Sequence, residues 1–113
     1  MSETNPPNDD PVLLVLTNFP DQEVARQIGT NLVERQLAAC VNLLPPVTSV
    51  FRWKGQIETA SEVPALLKTT RSAFERLREE LERLHPYEVP EILAFEASSS
   101  GKAYLDWVRS EVR

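Results

Sequence analysis

The chain has 113 residues, 42% of them hydrophobic and 26% charged, which suits one globular domain and leaves no room for two. Its longest aliphatic run, residues 12–16, is far shorter than the ~20 residues a membrane-spanning helix needs. Twelve basic against seventeen acidic side chains leave a net charge of −5 and no basic stretch, which argues against nucleic acid as a partner.

Residues 1–10 combine three acidic side chains and two prolines with no apolar residue beyond Met1. Such a segment cannot bury enough surface to offset the entropy of ordering, so a disordered tail is expected there and one domain over 11–113. Val12 to Leu16 is wholly apolar, the pattern of a central strand covered on both faces. A helix is expected from Pro20 and Asp21, with Val24, Ile28 and Leu32 on its buried face. From Leu37 the pattern is extended through Cys40, Val41, Leu43 and Leu44, until Pro45 and Pro46 impose a bulge or bend. Phe51, Trp53, Ile57, Val63, Ala65 and Leu67 then alternate around Lys54-Gly55, a hairpin turn of weaker chemistry than Asn-Gly. Pro64 lacks an N–H, so pairing is interrupted on the side where its amide would point.

Phe74, Leu77, Leu81 and Leu84 make the stripe of a second helix, with Ser72 and Glu75 as a capping box and Glu79–Arg83 as an i,i+4 pair. Pro86 ends it. A strand is expected over 89–97, a loop over 98–101, and a short terminal helix carrying Tyr104, Leu105, Trp107 and Val108. The order strand, helix, strand, strand, helix, strand is α+β and ferredoxin-like: a split βαβ sandwich whose antiparallel sheet has both helices on one face. Its central hairpin, about 15 residues a side, would reach roughly 50 Å, against a radius of gyration of ~13 Å for a domain of this size. The tip bearing Phe51, Trp53 and Ile57 therefore overshoots its own core, and a homo-oligomer is expected.

The chemistry available is sparse. Cys40 is the only cysteine and His85 the only histidine. No intrachain disulfide is possible, and the start MSETNPPNDD lacks the basic and apolar parts of a signal peptide, so a cytoplasmic address is expected. The three glycines, Gly29, Gly55 and Gly101, are isolated, which excludes G-x-G-x-x-G and Walker phosphate loops. A structural zinc site wants four soft or borderline ligands, so any metal must recruit carboxylates, water or other subunits around His85. Cys40, in an apolar strand, reads first as a small buried hydrophobe, and nothing places it beside His85 as a catalytic dyad. His85 also suits the end of a helix, where the dipole favours a cationic imidazole. Glu58 and Glu62 share one strand face, as do Glu62 and Lys68 if pairing past Pro64 is regular. Residues 85–91 form a rigid turn that either lines a cleft or only ends a helix.

Five segments in order carry a resemblance: V-L-T-N-F-P-D at 15–21, L-A-A-C-V-N at 37–42, W-K-G at 53–55, E-V-P-A-L-L-K-T at 62–69 and H-P-Y-E-V-P-E-I at 85–92. Together they resemble the CutA divalent-cation tolerance family over residues 12–113. The resemblance implies a ferredoxin-like homotrimer with interlocking hairpins, similar in architecture to PII signalling proteins. It links the chain to tolerance of copper and other divalent cations and implies no reaction, and no cofactor is needed for folding. Copper ligands described in the family are a cysteine ending the first strand and a histidine pair before Pro-Tyr. Here those positions hold Thr17, Leu84 and His85, so only His85 is retained as a metal ligand and weak binding is implied. The alternative is a PII-like small-molecule sensor, with Trp53, Glu62, Lys68, Tyr87 and Glu91 lining an intersubunit cleft.

Overall fold

A computed structural model describes residues 10–113. The tail expected over 1–10 lies outside the described residues except for Asp10, which is held in place. Its carboxylate accepts from the Ser72 N–H and hydroxyl, and its carbonyl accepts from Arg109 Nε at 2.8 Å.

The alternation in β1 (Val12–Phe19) sends Leu13, Val15, Thr17 and Phe19 to one face, all buried. Against that face packs α1 (Gln22–Glu34), capped by the Asp21 carboxylate, which accepts from the Val24 N–H at 2.8 Å. Pro20 thus precedes the cap. Residue Gln36 follows the helix at φ 60, and the Leu37 N–H reaches back to the Leu32 carbonyl, a left-handed helix ending. β2 (Cys40–Leu43), β3 (Val47–Trp53) and the 15-residue β4 (Gln56–Thr70) come next. Then follow α2 (Arg71–Leu84), a short β5 (Leu93–Glu96) and α3 (Lys102–Glu111). No helix among the described residues is long and apolar enough to cross a membrane.

The sheet runs β2-β4-β1-β5 with every pairing antiparallel, and β3 continues along β4. This is the ferredoxin-like order. Ile28 and Leu32 of α1 and Leu77 and Leu81 of α2 meet Val15, Phe19, Val63, Ala65 and Leu67 in one core. The opposite face is closed only at one end, where Val108 of α3 is buried against Val12 and Ala39. The expectation of a fully helix-free face is corrected to that extent. So is the expectation that Val12 to Leu16 is covered on both sides, since Leu14 and Leu16 stay half-exposed beside exposed Leu93 and Phe95.

The proline bulge is present. Cys40–Leu43 pairs with Lys68–Ala65, and Val47 resumes opposite Glu62, so three residues, 44–46, stand against two, 63 and 64. The Pro64 carbonyl accepts from the Leu44 N–H at 2.9 Å, which places the missing Pro64 donor on the bulged side. Lys54 (φ 51) and Gly55 (φ 80) form the two-residue turn. The hairpin arm stretches the molecule to 54 × 27 × 24 Å, with a radius of gyration of 15.5 Å.

Three local expectations are corrected. The capping box is absent, because β4 runs straight to the N-cap Thr70 and Ser72 already lies inside α2; Asp10, 62 residues away, supplies the acceptor. Arg83 pairs with Glu80 rather than Glu79, because Glu80 is buried between Arg83 and Arg35 of α1. The last strand is Leu93–Glu96 and not 89–97: Pro86 and Pro90 remove donors, and the intervening chain serves as a wall.

Candidate functional site

Where the arm leaves the body, one face of the hairpin and the chain over 86–91 enclose a groove of about 860 Å³. The hairpin wall comes from register: Phe51 pairs with Glu58, Ser49 with Ala60 and Val47 with Glu62, so alternate residues of both strands share this side. Trp53 extends it, Asn18 at the end of β1 forms the floor, and Pro86, Tyr87, Glu88, Val89 and Glu91 complete the opposite wall. The expectation that Glu58 and Glu62 share a face holds. Of residues 85–91, Pro86, Tyr87, Glu88, Val89 and Glu91 face this groove.

Local hydrogen bonds set the wall. His85 ends α2 with extended backbone, and its buried ring stacks on Phe19 at 5.0 Å between centroids. Its Nε2 lies 2.7 Å from the Asn18 carbonyl, while its Nδ1 accepts from the Tyr87 N–H at 3.1 Å. Those partners define the tautomer: Nε2 carries the proton and Nδ1 offers the lone pair. Burial holds the imidazole pKa below its ordinary value, against the opposing pull of the Asn18 carbonyl and the Glu62 charge. The cationic imidazole expected at the helix end is therefore disfavoured. A metal ion would reach Nδ1 only by displacing the Tyr87 amide. Tyr87 packs on His85 at 4.7 Å. Its phenol pKa is pushed up to about 12, first by burial and then by the neighbouring Glu62 carboxylate. Asn18 Nδ2 donates to Glu91 Oε1 at 2.9 Å and so orients that carboxylate.

Of the residues expected in a cleft, Trp53, Glu62, Tyr87 and Glu91 line the groove. Lys68 does not line the groove of the single chain. Six residues of extended strand, roughly 20 Å, separate it from Glu62. Its ammonium instead contacts the Asn42 side-chain oxygen and the Cys40 sulfur, the latter at 3.6 Å, on the half-open sheet face. Cys40 is half-buried and level with Leu14, whereas His85 stands beside Asn18 and Phe19, roughly 15 Å further along the sheet. The two are not a dyad. Asn18 escaped the sequence reading, although a lone amide among the apolar residues of 12–19 was a visible signal. Among the described residues, no three His, Cys, Asp or Glu side chains come together as a metal-holding group.

Residues 13–111 match the family model described as CutA1 divalent ion tolerance protein. The chain belongs to the CutA1 family. It is 48% identical over 96 residues to the divalent-cation tolerance protein CutA of Thermus thermophilus, covering 85% of this chain and 93% of that one. It is 44% identical over 90 residues to human Protein CutA, covering 80% of this chain but half of the human protein's length. The solved structure of the Thermus thermophilus protein superposes with a TM-score of 0.88 at 45% identity, covering 90% of this chain and 99% of that one. Thr17, near the end of β1, is wholly buried, and Leu84, the last residue of α2, is half-buried against the core.

Proposed function

We propose that this CutA1-family chain acts as a homotrimer in divalent-cation tolerance, holding divalent ions, copper among them, loosely and without a catalytic step. Assembly is supported by the open sheet face. Half-buried Leu14, Leu16 and Leu66 continue there into exposed Leu93 and Phe95, and the arm adds Val50 and Ile57, each more than 60% exposed. Apolar surface left in water is unfavourable by roughly 25 cal/mol per Å², and identical copies related by cyclic symmetry cover it. Three is the number of copies the family resemblance implies. Cation capture is supported by four glutamates in the groove, Glu58, Glu62, Glu88 and Glu91, with no Lys or Arg in its lining. His85 adds a nitrogen ligand once the Tyr87 amide is displaced. With Thr17 and Leu84 in place of soft or nitrogen ligands, the affinity is modest. A cytoplasmic location belongs to the same proposal and rests on the single unpaired cysteine.

Light scattering is expected to report three chain masses, and a monomer rejects the assembly. Titration calorimetry with Cu²⁺ and Zn²⁺ is expected to give weak binding that His85→Ala reduces severalfold. Superimposable isotherms remove His85 from the site. A second reading, a PII-like small-molecule module, is favoured by the groove volume of about 860 Å³, which lies in the range of ligand pockets.

A further inference from the structure

The groove's lining combines two features that divalent metals do not need together: separated carboxylates and aromatic faces. Glu58, Glu62, Glu88 and Glu91 all line it, yet among the described residues no three metal-ligating side chains converge. Tight capture of a small hard ion needs several oxygens at about 2.0–2.6 Å at once, and this spread holds such an ion only loosely. Phe51, Trp53 and Tyr87 share the same walls. Aromatic faces attract a broad, weakly hydrated cation through the ring quadrupole.

Glu62 is the most informative of the four carboxylates. It is 9% exposed and, among the described residues, has no basic side chain within salt-bridge distance. The Tyr87 phenol faces the same groove, close enough for the Glu62 charge to help hold its pKa up. A buried carboxylate without a cation is unfavourable, and a ligand that brings one relieves it. Glu91 is already oriented by Asn18. Lys54 stands over the Trp53 ring at 5.7 Å but does not line the groove.

We propose that this groove binds a small organic cation, an ammonium group on an apolar or aromatic body, with the charge against Glu62 and Glu58 and the body between Trp53, Phe51 and Tyr87. This deepens the small-molecule reading and rests on it. Charge complementarity, aromatic walls and the volume select the ligand class together.

The test is titration calorimetry of the full chain with benzyltrimethylammonium as probe, and with benzyl alcohol and benzoate as neutral and anionic counterparts. One saturable site per chain is expected for the ammonium alone. Its affinity should fall about tenfold in Glu62→Gln and in Trp53→Leu, with the scattering mass unchanged. Glu58→Gln, at an exposed position, serves as the second charge variant if Glu62→Gln fails to fold. Equal binding of benzyl alcohol or benzoate overturns the cation proposal and leaves a small-molecule groove. Binding by none of the three overturns both, as when a sister copy fills the groove. Unchanged affinity in both charge variants also overturns it.

Discussion

Thr17 carries a wholly buried hydroxyl with no hydrogen-bond partner among the described residues. An orphaned buried hydroxyl is unfavourable by about 1–3 kcal/mol, and an isosteric methyl removes that penalty. Thr17→Val is therefore expected to raise unfolding free energy by about 1 kcal/mol, read by denaturant titration. His85 gives a pH signature. Burial lowers its folded pKa, so the unfolded chain takes up the proton more readily. Stability is then constant above the unfolded value of about 6.5 and declines as pH falls below it toward the lower folded value. Because His85 is the only histidine, His85→Gln should abolish that decline between pH 7 and 5 in thermal melts. An unaltered slope would show that another group titrates.

At the scale of elements, helix capping shows how a distant residue displaces a local motif. The S-x-x-E pattern at Ser72 and Glu75 was legible, yet Asp10 supplies the acceptor for the Ser72 N–H, and Glu75 turns to Arg78. Asp10→Ala is expected to destabilise the fold by about 1 kcal/mol, a typical loss for a helix cap. Ser72→Ala leaves that backbone contact intact and should lower the melting temperature less. The proline bulge and the Lys54-Gly55 turn, in contrast, followed from residue chemistry alone: missing donors and a φ that favours glycine belong to the residues themselves.

For the whole molecule, the protruding arm and the half-open sheet face are one feature. The radius of gyration, 15.5 Å, exceeds the ~13 Å of a compact chain of this length because β3 and the outer half of β4 pair only with each other. If sister copies cover the open face, a charge there should break the assembly without unfolding the subunit. Phe95→Glu, exposed on β5, is expected to shift light scattering from three chain masses toward one while circular dichroism keeps its helical signal. An unchanged mass would place the interface elsewhere.

Periodicity, turn residues and charge balance determined the element order, the ferredoxin-like class, the length of the arm and the shared face of Glu58 and Glu62. These depend on near neighbours along the chain or on its total composition. Only the tertiary structure decided that Asn18 floors the groove, that both His85 nitrogens are engaged, and that Lys68 meets Cys40 and Asn42 within the chain. Each of these is a contact between strands, or between a strand and a loop, remote in sequence. Residue spacing says which side of a strand a group takes, but not which distant segment arrives to meet it.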